Sequence, residues 1–224
     1  MGNLFIGFPV PRAKIADMIT GSAAPLFPYA DILYHTNFDS LDGFAKVEEG
    51  AGAITLSFDA VEQSIGTEAA DITTLVKAPL YPYLESTWDK RRKMQTALFA
   101  DLQAGVTGYT FIGAGNPDEN MFVGFRISNG ALDAISINAS GVETHTIADW
   151  TTPGLQAALL KFDYDPPAYP KFYLDDVLVY TATTRKPTGT DGANVWLYWG
   201  MIHSGGGSAM LTYLSEYMFF QDSE

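Results

Sequence analysis

Paired carboxylates are the first residues to consider for chemistry, because glycoside hydrolysis needs two of them at a controlled separation. The nearest pair in this chain is Glu68-Ala69-Ala70-Asp71, with no third acid beside it. A strand keeps only alternate side chains on one face, so this spacing does not suit two acids that act together. We therefore expect a solvated loop at Glu68 and Asp71, without a catalytic role.

The histidines and small-residue motifs give no enzymatic signature either. His35, His145 and His203 are not spaced as metal ligands, and no serine stands in a Gly-x-Ser-x-Gly motif. Gly113-Ala114-Gly115 lacks the strand-to-helix context of a dinucleotide site, and we predict a turn there. The chain has 0 Cys, which excludes zinc thiolates and cysteine nucleophiles. The sequence therefore predicts no enzyme, no catalytic residue and no organic cofactor.

Calcium is the cofactor alternative that stays open. Calcium prefers clustered oxygen ligands, and acidic residues occur in three predicted loops. In a chain with 26 acidic against 13 basic residues, however, acids are also expected simply to solvate loops. The three segments are Asp163-Tyr164-Asp165, Asn116-Pro117-Asp118-Glu119-Asn120 and Asp191-Gly192.

One predicted strand, residues 195–202, suits a binding role because it is apolar on both alternating faces. A strand with one face in water should alternate apolar and polar residues. The second face either lies under an N-terminal arm or a loop, or it offers aromatic rings to a sugar or a subunit. The candidate binding surface consists of Trp196, Tyr198, Trp199, Tyr81, Tyr83 and Trp88.

A basic run, Lys90-Arg91-Arg92-Lys93, holds 4 of the 13 basic residues. It fits a solvated strand edge that resists aggregation. It also fits a patch that forms salt bridges with an acidic neighbouring subunit, since the rest of the chain is acidic.

Composition limits the partners. A length of 224 residues fits one large β domain. The formal net charge of -13 disfavours nucleic acid and anionic membranes, which need Lys and Arg. No apolar run approaches the ~18 residues of a membrane span. The apolar run Leu4 to Val10 precedes Arg12 and Lys14 instead of following them, so we recognise no signal peptide.

Residues 1–30 differ from the rest of the chain and form a Pro-rich apolar N-terminal arm. Four prolines make regular sheet unexpected, while many side chains are large and apolar. The arm either packs on its own domain or docks on a neighbouring subunit. The candidate subunit contacts are Phe5, Phe8, Ile15, Met18, Phe27, Arg91 and Arg92.

Residues 31–224 are predicted to form the β-sandwich domain. Turn signals separate about 12 short strands at roughly 10-residue spacing, as in sandwiches and barrels. Asn129-Gly130 is the best hairpin signal between them. Asp175-Asp176 forms another two-residue turn, because Asp tolerates positive φ better than most residues. The fold class is therefore all-β: an antiparallel two-sheet β-sandwich with an irregular arm.

Four segments carry a resemblance to a known family. They are Tyr34-His35-Thr36-Asn37-Phe38-Asp39, Val123-Gly124-Phe125-Arg126-Ile127, the hairpin from Lys171 to Val179, and the closing strand from Thr212 to Phe220. Together they resemble the concanavalin A-like lectin/glucanase sandwich in its laminin-G-like jelly-roll form, over residues 31–221. The resemblance implies two sheets with the first and last strands adjacent. The Glu-x-Asp-x-x-Glu of the family's hydrolases and the Gln-x-His of its lyases are absent.

This family includes lectins, enzymes, adhesion modules and virion proteins, so the resemblance leaves three functions. The first is a non-catalytic structural protein of a virion, such as a capsid decoration, cement or tail protein. Its partners would be copies of itself in a homo-oligomer, or capsid and tail proteins, on a virion or extracellular surface. The second is a carbohydrate-binding, lectin-like module. The third is a divergent glycan hydrolase or lyase.

Overall fold

The computed structural model describes residues 5–6, 32–36, 45–48, 52–57, 60–65, 72–79, 88–102, 108–116, 121–128, 130–150, 156–188, 196–203 and 210–221. Sixteen strands occur within these residues. They are β1 Phe5–Ile6, β2 Ile32–Thr36, β3 Ala45–Glu48, β4 Gly52–Ser57, β5 Ala60–Ile65, β6 Ile72–Pro79, β7 Arg92–Leu102, β8 Gly108–Asn116, β9 Met121–Ser128, β10 Gly130–Asn138, β11 Gly141–Trp150, β12 Gln156–Tyr164, β13 Lys171–Leu174, β14 Val177–Thr181, β15 Trp196–His203 and β16 Met210–Gln221.

The strands form two antiparallel sheets. Sheet A has nine strands in the order β1-β2-β16-β7-β12-β13-β14, with β5 paired to β16 and β4 paired to β5. Sheet B has seven strands in the order β11-β10-β9-β8-β15-β6-β3. Residues 32–36 of β2 pair with residues 217–221 of β16. The predicted antiparallel two-sheet β-sandwich is confirmed, with its opening and closing strands side by side.

The main core lies between the two sheets and follows the period of two along each strand. In β12, Leu160, Phe162 and Tyr164 are buried at alternate positions. Trp88 and Trp199 belong to the same cluster and are almost fully buried. Each large apolar side chain buried in this way contributes about 1.5–3 kcal/mol.

The β13–β14 hairpin turns on two residues with positive φ. Asp175 has φ 49° and Asp176 has φ 69°, as the sequence predicts. The turn is tied to the neighbouring strand, because the Asp175 amide donates to the Leu159 carbonyl and the Asp175 carboxylate accepts from the Leu159 amide, each at 2.9 Å. Lys161 pairs with Asp176. These contacts offset the strain of two non-glycine residues in the left-handed region.

Gly113-Ala114-Gly115 lies inside β8, so the prediction of a turn there is wrong. Gly113 faces Gly124 of β9 across the sheet. A Cβ built on Gly113 or Gly124 would lie 2.6 or 2.7 Å from the Phe122 ring. Because these two glycines have no Cβ, the Phe122 ring can lie flat on the sheet. The residues next to Gly113 in the sequence do not reveal this contact.

The prolines of the arm do not exclude sheet at its start. Phe5 and Ile6 pair with His35 and Tyr34 of the same chain. The rest of residues 1–30 lies outside the described residues, including Phe8, Ile15, Met18 and Phe27. Within the part of the chain that is described, no helix is long and apolar enough to cross a membrane.

Candidate functional site

The face of sheet B that points away from the main core carries a second apolar cluster. Alternation along β9 sends Val123, Phe125 and Ile127 into the main core and leaves Phe122 and Arg126 on the opposite face. We call this opposite face the outer face of sheet B. Its cluster consists of Phe122, Ile135, Ile137 and Tyr198, with Phe111 packed against it.

Aromatic rings connect the strands across this outer face. Tyr109 and Phe111 have ring centroids 5.1 Å apart, and Phe111 and Phe122 follow at 5.6 Å. Tyr198 lies 6.2 Å beyond Phe122. All three pairs are close to perpendicular, the edge-to-face arrangement that aromatic rings favour. Phe122 and Tyr198 are buried, whereas Tyr109 and Phe111 are only partly buried and form the accessible end of the row.

A polar group adjoins this accessible end. Arg126 stands directly opposite Phe111 in β8 and opposite Asp133 in β10. Its Nε and Nη2 donate to Asp133 Oδ2 at 3.2 and 2.7 Å. The Thr146 hydroxyl donates to Asp133 Oδ1 at 2.8 Å. The Arg126 side chain is 31% exposed while that of Asp133 is 4% exposed, so a buried carboxylate fixes a guanidinium that solvent can reach.

A second carboxylate, that of Glu143 in β11, accepts hydrogen bonds from backbone amides. It accepts hydrogen bonds from the Tyr180 hydroxyl at 2.6 Å and from the backbone amides of Thr183, Thr184 and Arg185 at 2.7, 2.9 and 2.6 Å. Burial raises the pKa of Glu143, but these hydrogen bonds outweigh burial and lower the pKa from 4.5 to about 2. The His145 ring stacks on Tyr180 at 4.0 Å.

The segment that Glu143 holds, residues 182–187, is anchored at further points. The Ser136 hydroxyl donates to the Arg185 carbonyl at 3.0 Å, and the Asn138 amide group donates to the Lys186 carbonyl at 3.2 Å. Tyr164 donates to the Pro187 carbonyl. Burial raises the pKa of Tyr164 to about 12, against the opposing charge of Arg92. These contacts give Glu143 and Tyr164 structural roles.

The basic run is integrated into the domain, so its interpretation as a solvated strand edge is wrong. Its strand, β7, lies between β16 and β12 in sheet A. Arg91 donates to both carboxylate oxygens of Asp163, at 3.1 and 2.7 Å. Arg92 is fully buried with its guanidinium 4.5 Å from the Trp88 ring centroid, and Lys93 is also buried. Arg92 therefore has no surface to offer a neighbouring subunit, while Arg91 stays partly exposed.

The ion pairs of Arg91 involve two of the acidic residues in the predicted calcium segments. Asp163 and Asp165 lie 2.7 and 3.9 Å from the Arg91 guanidinium, so a cation already faces these two carboxylates. Among the described residues, no three His, Cys, Asp or Glu side chains come together as a metal site. Residues 117–120 and 191–192 lie outside the described residues.

Three of the six aromatic candidates lie in the two apolar clusters. Trp88 and Trp199 are buried in the main core and Tyr198 in the outer cluster. These three rings cannot stack on a ligand, which corrects their assignment to a binding surface and explains why residues 195–202 are apolar on both faces. The structure describes only the backbone of Trp196, His35, His203 and Phe5. The residues that lie outside the described part of the chain are Tyr81, Tyr83, Glu68 and Asp71.

The candidate site residues that sequence reasoning missed are Phe111, Arg126 and Asp133. A signal was present in Val123-Gly124-Phe125-Arg126-Ile127, where Arg126 interrupts an apolar strand two residues after a glycine. Its partner could not be read from the sequence, because the β9–β10 register places Asp133 opposite Arg126.

No protein-family model matches the sequence. The comparison with curated proteins gives no significant match. Solved structures match over most of the chain. A protein of unknown function from Shewanella oneidensis MR-1 shares 16% identity with a TM-score of 0.57, over 97% of this chain and 96% of that chain.

Two similar structures have described roles. The metal-free carbohydrate recognition domain of Emp46p gives a TM-score of 0.55 at 7% identity, over 82% of this chain and 90% of that domain. A botulinum neurotoxin binding domain gives 0.55 at 9% identity, over 79% of this chain and 43% of that chain. The chain thus spans less than half of the neurotoxin structure. These matches show that the fold is the concanavalin A-like lectin/glucanase sandwich, and neither is described as a virion protein.

Proposed function

We propose that this protein is a non-catalytic carbohydrate-binding domain whose ligand lies on the outer face of sheet B. The observation that carries the proposal is the partly exposed Arg126, fixed by Asp133 beside the partly buried Phe111 ring. An apolar ring with a few polar groups fixed in place is the usual composition of a small-molecule site.

The chemistry of this group suits a sugar. The apolar C–H face of a sugar ring packs against an aromatic side chain, while its hydroxyls need donors and acceptors in fixed positions. Arg126 supplies donors in a planar fork, and its Nη1 makes no hydrogen bond to the residues that the structure describes. Thr144 and Thr146 of β11 are exposed and add hydroxyl groups at the edge of the same face.

The similar structures support a binding role at the level of fold. The carbohydrate recognition domain of Emp46p matches over 90% of its length. Because the identity is 7%, the shared fold does not transfer a sugar or a residue. The proposal for this chain therefore rests on its own residues.

The state of the Glu143 and Asp133 carboxylates supports binding rather than hydrolysis. A general acid in glycoside hydrolysis has a raised pKa, and the pKa of Glu143 is lowered to about 2. Asp133 engages both of its oxygens with Arg126 and Thr146. A structural role on a virion remains a prediction from the sequence, without support from the structures compared.

A glycan array with two matched arginine variants tests the proposal. Arg126→Ala and Arg91→Ala each remove a 31% exposed side chain: Arg126 on sheet B pairs with Asp133, and Arg91 on sheet A pairs with Asp163 and, at 3.9 Å, with Asp165. Three results together support the site. The wild type binds a glycan, Arg126→Ala weakens that binding by at least about tenfold, and Arg91→Ala retains it. Equal loss in both variants, or binding that Arg126→Ala leaves intact, rejects it.

A further inference from the structure

Strand β14 exposes apolar side chains on both of its faces. Val177 is 64% exposed and Leu178 is 51% exposed. Neighbouring residues of a strand point to opposite faces, so solvent reaches both sides of the strand beside the turn. In the order of sheet A, β14 stands at the end and pairs with β13 alone among the described strands.

This edge lacks two of the usual protections against pairing, although its pairing with β13 shifts register once, between Phe172 and Tyr173. Natural edge strands carry charged residues or prolines that block another strand from adding. The five residues of β14, Val177-Leu178-Val179-Tyr180-Thr181, include neither. Antiparallel pairing uses alternate backbone groups, so β14 retains N–H and C=O groups that face away from β13.

The charges at the two ends of β14 complement each other. Asp175 and Asp176, both exposed, precede the strand. Lys171 lies opposite Thr181 at the other end, and Arg185 and Lys186 follow. Two antiparallel copies of β14 would place the acidic end of one beside the basic end of the other.

We infer that β14 is the interface between two copies of this chain, which pair antiparallel about a two-fold axis. A two-fold interface must be self-complementary, and an uncharged strand with acidic and basic ends meets that condition. At a net charge of -13 per chain, two copies repel each other over most of their surface, which favours contact at this uncharged edge.

Another described sheet end, that of β11, offers a matched control. β11 ends sheet B and carries Val142, which is 57% exposed. β11 differs because it contains the exposed acid Asp149, whereas β14 contains no charged residue. A charged residue discourages edge-to-edge addition.

Sedimentation of the whole chain from micromolar to near-millimolar concentration tests the interface. We expect a reversible dimer whose dissociation constant rises by at least about tenfold in Leu178→Lys and stays unchanged in Val142→Lys. Circular dichroism checks that both variants remain folded. A wild type that stays monomeric, or a Leu178→Lys variant that dimerises like the wild type, overturns the inference.

Discussion

The Tyr180 hydroxyl donates a 2.6 Å hydrogen bond to the Glu143 carboxylate, and this contact joins β14, at one end of sheet A, to β11, at one end of sheet B. Glu143 also accepts from three consecutive backbone amides, those of Thr183, Thr184 and Arg185. One carboxylate therefore closes the sandwich at this side and fixes the segment that follows β14.

Replacing Glu143 by Gln should destabilise the fold. The glutamine NH2 group would face backbone amides that need an acceptor, and leaving such buried donors unsatisfied costs about 1–3 kcal/mol. Tyr180→Phe removes one hydrogen bond and should cost about 1 kcal/mol. Urea denaturation measures both, with Asp165→Asn, whose carboxylate is 61% exposed, as the control. Equal midpoints for Glu143→Gln and Asp165→Asn would contradict this role.

The lowered pKa of Glu143 predicts a specific acid response. Burial opposes the charge, but the hydrogen bonds dominate and move the pKa from 4.5 to about 2 in the folded state. A lowered pKa stabilises the fold at pH above the unfolded value, and this contribution is lost as pH falls from 4.5 towards 2. The wild type should therefore lose more unfolding free energy over this range than Glu143→Gln. Parallel pH profiles for the two proteins would refute the assignment.

Local signals in the sequence predicted the features that depend on near neighbours. The apolar pattern predicted the strand Met121–Ser128. The tolerance of Asp for positive φ predicted the turn at Asp175-Asp176. The features that the sequence could not predict depend on cross-strand partners. The sequence suggests a turn at Gly113, because it does not show that Gly124 lies opposite in the next strand. It suggests a surface charge at Arg92, because it does not show that the guanidinium packs on Trp88.

The glycines beneath Phe122 should not tolerate a side chain. In Gly124→Ala the new Cβ would lie 2.2 Å from the Ile112 carbonyl oxygen and 2.7 Å from the Phe122 ring. Because backbone as well as ring must move, we expect a cost of about 1–3 kcal/mol or more. Thermal unfolding measures it against Ser128→Ala, at the end of the same strand. A Gly124→Ala variant as stable as Ser128→Ala would show that the two strands separate easily.

The Arg126–Asp133 pair should set the charge preference of the ligand. The pair is neutral as a unit, since the positive Arg126 guanidinium forms a salt bridge with the negative Asp133 carboxylate. A chain of net charge -13 also repels anionic sugars. We therefore expect the wild type to bind a neutral glycan more tightly than its sialylated form.

Asp133→Asn should reverse or weaken that preference. The substitution keeps the size of the side chain and a hydrogen-bond acceptor for Arg126, but it leaves the partly exposed guanidinium without a neutralising charge. An unneutralised arginine favours a carboxylate, so the affinity ratio of sialylated to neutral glycan should rise by about tenfold and fall again at high salt. Calorimetry with the matched glycan pair measures the ratio, and Asp163→Asn, the partner of Arg91 on sheet A, is the control. If Asp133→Asn and Asp163→Asn give the same ratio as the wild type, the ligand does not contact Arg126, and the binding face must lie elsewhere on the sandwich.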